Sequence, residues 1–163
     1  MARSEGFTLP ELLIVVAVLA ILAGLSLGQA SEALARQRVE AATRRLLQGL
    51  DRGRLTAERS GLPCALSFDA RGWHAPDSGG LASCPGVSLP LQDEVADSGE
   101  LRVEHNLPPA VRFSTNGLVL DGGTVVLSHP GTTLTRCVVV SLPLGVSRVG
   151  LYGNGTCLPD PSL

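Results

Sequence analysis

The chain has 163 residues, 13 Arg and no Lys, 15 acidic residues and four Cys, for a formal net charge of −2. Hydrophobic residues make up 44%, charged residues 17% and aromatics 3%, a balance that excludes a disordered chain, a coiled-coil rod and a strongly basic nucleic-acid binder. The charge divides the chain into three unlike parts: −1 over residues 1–28, +3 over 29–60 with seven Arg against four acids, and −4 over 61–163.

The first part is apolar. Leu12–Leu27 reads LLIVVAVLAILAGLSL without a charge. With Phe7, Thr8 and Leu9 ahead of it, the run reaches the ~20 residues that a helix needs to cross a bilayer core of about 30 Å. A transmembrane helix over 7–28, surrounded by membrane lipid, is therefore expected. A secretory signal peptide would have a positive start, a shorter apolar core and a small-x-small cleavage site. Glu11 stands at the entrance instead, and a carboxylate at the centre of such a helix costs about 2–3 kcal/mol, less near the interface. That cost makes Glu11 a functional candidate. Pro10 suits a first helical turn, where its missing N–H would be unpaired anyway. Gly24-Leu25-Ser26-Leu27-Gly28 spells a nucleophile-elbow string, but within a helix rather than at a strand-to-helix turn, so it is taken as chance. Ala20, Gly24 and Gly28 recur every four residues, a stripe that lets helices approach closely.

The block Gly6-Phe7-Thr8-Leu9-Pro10-Glu11-Leu12-Leu13, followed by this run, resembles the class III signal of type IV prepilins and type II secretion pseudopilins. The resemblance implies that a prepilin peptidase cleaves after Gly6, removing a leader over 1–6, and that Phe7 is then N-methylated. It implies that Glu11 meets the amine of Phe7 in a neighbouring subunit during assembly, where a desolvated carboxylate and ammonium neutralise each other. Other pilin or pseudopilin subunits and an inner-membrane assembly platform are the implied partners. The implied location is a single pass through the bacterial inner (plasma) membrane with the head extracytoplasmic, and then the pilus or pseudopilus. Arg36, Arg38, Arg44 and Arg45 follow the anchor while Arg3 precedes it, so positive charge alone would place the C-terminus in the cytoplasm. The leader signature and the cysteines outweigh it.

Residues 29–60 continue as an amphipathic helix. Ala35, Val39, Ala42, Leu46 and Leu50 form one apolar stripe at helical period, with Arg36, Glu40 and Arg44 at i, i+4 spacing on the opposite face. Gly49 and Gly53 each weaken the later turns by about 1 kcal/mol relative to Ala. Ser60-Gly61-Leu62-Pro63 is a stop signal. Glu32, Glu40, Asp51 and Glu58 interleave with the arginines, which favours a solvated, salt-bridged helix over a phosphate-binding stripe.

Residues 61–163 read as a β-rich head. Strands are expected at Cys64–Phe68, Leu101–His105, Val111–Ser114, Leu118–Leu120, Thr124–Ser128, Arg136–Ser141 and Val146–Tyr152. The turns Asn116-Gly117 and Asp121-Gly122-Gly123 make 111–128 a three-strand meander. Residues 75–100 read as a long loop, its acids Asp93, Glu94, Asp97 and Glu100 solvated with Glu104, and Asn154-Gly155-Thr156 as a turn rather than a glycosylation site. Cys64, Cys84, Cys137 and Cys157 should be oxidised outside the cytoplasm. Three pairings are possible. Cys64–Cys84 with Cys137–Cys157, two equal loops worth about 3 kcal/mol each on the chain-entropy model, is preferred. No C-x-x-C is present and His74, His105 and His129 sit alone, so no metal or cofactor is expected.

The head also resembles the GspH/FimT branch of minor pilins and pseudopilins. The cues are Phe113-Ser114-Thr115-Asn116-Gly117-Leu118, the Val-Val-Val-Ser strand at 138–141 and a Gly-containing hairpin at 145–150. DNA-uptake members carry a Gly-Arg-x-Arg string near the C-terminus. Gly145-Val146-Ser147-Arg148 has Val at the first Arg position, and with a head charge of −4 nucleic acid is not expected as a partner. The expected fold is α+β and pilin-like, a long N-terminal helix packed on a small antiparallel β-sheet head. The expected function is that of a minor pilin or pseudopilin, structural and not enzymatic. A DNA-binding pilin for natural transformation and a plain signal-anchored surface protein are the alternatives.

Overall fold

The computed structural model describes residues 8–77, 80–92, 101–142 and 145–160, without the side chains of 25–29. Residues 1–7, and with them Gly6 and Phe7, lie outside the described residues, as do Asp93, Glu94, Asp97 and Glu100. Thr8 is extended, and its backbone N–H and hydroxyl donate to Glu11 Oε2 at 3.4 and 3.3 Å. This capping box satisfies backbone donors that the first turn leaves open. From it runs α1, Leu9–Ser60, 52 residues or roughly 78 Å at 1.5 Å per residue. Gly61 ends it at φ 64°, with its N–H on Glu58 O, a left-handed cap that glycine adopts without a Cβ penalty.

The strands among the described residues are β1 (Cys64–Asp69), β2 (Gly72–His74), β3 (Leu89–Pro90), β4 (Arg102–His105), β5 (Val111–Phe113), β6 (Gly123–Ser128), β7 (Thr135–Ser141), β8 (Val146–Gly153) and β9 (Thr156–Pro159). They form two antiparallel sheets, ordered β3-β2-β1-β5 and β4-β6-β7-β8-β9. Both pack on the second half of α1. Ala35, Val39, Ala42, Leu46 and Leu50 are each 2% exposed or less, the apolar stripe read from the sequence. All but Ala35 join one core cluster with Leu66, Trp73 and Phe113 from the first sheet and Val125, Leu127 and Val138 from the second.

Gly49 and Gly53 have a use that propensity does not reveal. A Cβ on Gly49 would overlap the Trp73 indole, and one on Gly53 would stand 2.5 Å from Phe113 Cζ. The helix accepts a propensity cost so that the head's two largest buried side chains can lie against its backbone. Trp73 Nε1 donates to Leu46 O at 2.9 Å, which satisfies the indole N–H in the core.

Several expectations for the head are corrected. Residues 111–128 are not a meander. Val111–Phe113 pairs with β1, Gly123–Ser128 pairs in the second sheet, and 118–120 contributes only the bridge Phe113↔Val119. The Asn116-Gly117 turn is present, with Gly117 at φ 70° and its N–H on Ser114 O at 2.9 Å. Beyond it, Asp121 grips the Arg112 backbone N–H and guanidinium at 2.8–2.9 Å, which ends the hairpin and sends the chain to the other sheet. The stretch 75–100 is not all loop, since β3 lies inside it. β2, β3 and β9 are too short or too polar to stand out in the sequence.

Cys64 is bonded to Cys84 and Cys137 to Cys157. The first bond holds the 82–84 segment beside β1, where Ala65 exchanges backbone hydrogen bonds with Ala82 and Cys84. The second reaches past β8. Flat strands two positions apart would be roughly 9.5 Å apart, yet the two Cα atoms are 5.8 Å apart, so the β8–β9 hairpin curls over β7. Its turn has Asn154 at φ 52° and Gly155 at φ 76°, the primed geometry of a two-residue hairpin.

Candidate functional site

Two regions of the molecule carry chemistry: the free half of α1 and a charged hub where α1 meets the head. Between Leu9 and Leu22 every large aliphatic side chain is 48–76% exposed. Among the described residues, no part of the head covers this surface. Fully burying one such side chain contributes about 1.5–3 kcal/mol, so covering ten half-exposed ones is worth on the order of 10 kcal/mol. Among the described residues no helix is long and apolar enough to cross a membrane; the expected span 7–28 begins and ends outside the described side chains. Glu11 projects from the first turn, and among the described residues its carboxylate is held by Thr8. Gly24 has open space around it, with nothing within 4 Å of an added Cβ.

The hub is Arg136, at the start of β7. Its side chain is 7% exposed. Nε and Nη2 donate to Glu40 Oε1 at 2.9 and 2.6 Å, and Nη1 donates to Asp160 Oδ2. Burial disfavours the cation, and the bonds to Asp160 and Glu40 outweigh it, so the Arg136 pKa is raised. One side chain therefore joins the helix, the central strand of the second sheet and the C-terminal segment. The expected Arg36–Glu40–Arg44 ladder is corrected accordingly: Glu40 turns inward to Arg136. An arginine inside the apolar run of β7 was the available signal, since a buried cation requires a carboxylate partner.

The histidines stand apart. His74 Nδ1 is 3.8 Å from Asp69, His105 meets the Phe68 ring edge-on at 5.5 Å, and His129 Nδ1 accepts the Gly131 N–H at 3.0 Å. Among the described residues no group of three His, Cys, Asp or Glu could hold a metal ion.

A helix with its first half bare and apolar, and its second half buried in a disulfide-stapled β head, is the build of a type IV pilin or pseudopilin. Residues 42–144 match the family model of type II transport protein GspH, and residues 1–27 match that of the prokaryotic N-terminal methylation motif. The chain belongs to the GspH family. No curated protein and no solved structure matches it. The GspH match runs from the buried stripe of α1 through β7; the methylation-motif match spans Gly6, Phe7 and Glu11.

Proposed function

We propose that this chain is a minor subunit of a type II secretion pseudopilus or a type IV pilus, cleaved after Gly6 by a prepilin peptidase and N-methylated at Phe7. The observation that carries this reading is the bare aliphatic surface from Leu9 to Leu22 with a carboxylate at its head. Such a surface needs lipid before assembly and neighbouring helices after it. Residues 7–28 hold the chain in the inner membrane with the head extracytoplasmic, the compartment in which both disulfides persist. During assembly Glu11 leaves its Thr8 cap for the amine of Phe7 in an adjacent subunit. The exchange is feasible because the cap bonds are long, 3.3–3.4 Å, and an ion pair in low dielectric is stronger. The chain is a substrate of its processing enzyme and catalyses nothing itself.

The test is the mass of the N-terminal peptide from protein made with and without a prepilin peptidase. Loss of MARSEG and gain of one methyl group on Phe7 is expected. An intact leader would make the chain a plain signal-anchored surface protein, and a cut after residue 28 would make it a secreted one.

A further inference from the structure

Arg54, late in α1, is a half-buried cation that no described residue satisfies. Its Nε and Nη2 are buried without a hydrogen bond, which leaves Nη1 as the nitrogen that reaches the surface. The turn at Gly145 closes over the guanidinium. With φ at 63°, it brings the backbone so near that an added Cβ would stand 3.1 Å from Arg54 Nη2 and 2.5 Å from Val119 Cβ. Asp51 and Glu58, about one turn to either side on the same helix, are exposed, and among the described residues neither bonds to Arg54. Glu58 leans toward Gly117 instead, its Oε2 3.6 Å from where a Cβ would sit. Leu118 and Val146, next in the chain to Val119 and Gly145, are 40% and 47% exposed. A buried donor without an acceptor, and above all a cation without an anion, destabilises the fold that holds it.

We propose that Arg54 anchors a carboxylate of a different filament subunit, an acidic side chain flanked by aliphatic ones that dock beside Leu118 and Val146. The proposal rests on the filament reading above. A subunit that occurs rarely in a filament has other subunits beside it, so the partner is not a second copy. The acid meets Nη1, and its charge compensates the whole delocalised guanidinium, including the two nitrogens under the turn. Aliphatic contacts around the pair exclude water and strengthen it. Lipid phosphate is out of reach, because Arg54 lies roughly 48 Å along α1 from Leu22 at 1.5 Å per residue. Nucleic acid is bound by a track of cations, whereas this site presents one nitrogen.

The test separates stability from assembly with R54M, which keeps an apolar stem and removes the cation. The purified full chain in detergent is expected to melt about 2–4 °C higher as R54M than as the native protein, because the unsatisfied nitrogens are gone. In the cell that makes it, R54M is expected to enter sheared filaments about tenfold less than the native chain, with an equal amount in membranes. A melting temperature that fails to rise, or normal incorporation, overturns the contact. A photoreactive amino acid in place of Leu118 is expected to cross-link the chain to another subunit of the same filament. Changing the acid in the captured peptide to Arg should then restore incorporation of R54E. No cross-link, or no restoration while both proteins are folded, overturns it as well. Millimolar inorganic phosphate that raises the melting temperature of the native chain but not of R54M would show a free-anion site and overturn the subunit contact. Leader removal is scored separately by mass: an intact leader removes the filament reading, whereas a removed leader with normal incorporation of R54M removes only this contact.

Discussion

Gly53 is where helix propensity and packing pull against each other most plainly. Replacing it with Ala should help an isolated helix by about 1 kcal/mol. Here the added methyl would stand 2.5 Å from Phe113 Cζ, and overpacking of this kind typically costs about 1–3 kcal/mol. Gly53→Ala is expected to lower stability by an amount in that range, read by thermal unfolding of the full chain in detergent. A second substitution, Phe113→Leu, should recover part of the loss. Asp121 acts at the same scale through charge. Its bond to the Arg112 side chain, opposed by burial, holds its pKa below the ordinary 3.8. A depressed carboxylate pKa means stability present above the unfolded value and lost as pH falls through the folded one. Asp121→Asn should therefore lower the melting temperature at pH 7, and the gap to the native chain should close below pH 3.8.

Among the elements, β9 depends most on bonds other than strand pairing. It is one of the two edge strands of the second sheet, held by β8, by Cys137–Cys157 and, just beyond its end, by the Arg136–Asp160 pair. Removing the disulfide with Cys137→Ser/Cys157→Ser is expected to cost about 3 kcal/mol on the chain-entropy model. Faster amide exchange should then concentrate in 150–160. The hub predicts an order of severity. Arg136→Ala removes the cation that Glu40 and the 7%-exposed Asp160 side chain share and should cost about 3–5 kcal/mol. Glu40→Ala leaves Arg136 its other carboxylate and should cost about 1.5–3 kcal/mol. A reversed order in urea unfolding would mean that the helix contact, not the tail contact, carries the hub.

The molecule as a whole is built incomplete. Its head is closed by two sheets, two disulfides and the buried half of α1, while the described residues leave the aliphatic surface of the other half, from Leu9 to Leu22, uncovered. Glu11→Ala tests what the carboxylate does there. The variant should insert into the membrane like the native chain, because removing a charge from an apolar helix lowers its insertion cost. It should enter filaments poorly, as read by its amount in sheared filaments against membranes. Unimpaired incorporation would remove Glu11 from assembly.

Local order along the chain was enough to read α1 from about residue 8 to 60, its buried stripe from Ala35 to Leu50, its stop at Gly61 and most of the longer strands. Each depends on periodicity, a cap or a turn within a few residues, and those signals do not need a partner. The N-terminal motif likewise lies in one contiguous block. What only the tertiary structure decided involves residues far apart in sequence. Arg136 finds Glu40 across 96 residues and Asp160 across 24. Gly49 and Gly53 meet aromatic rings from β2 and β5, and Asp121 divides one expected meander between two sheets. None of these has a local signature, because a buried charge or a missing Cβ acquires its meaning from whatever the fold brings against it.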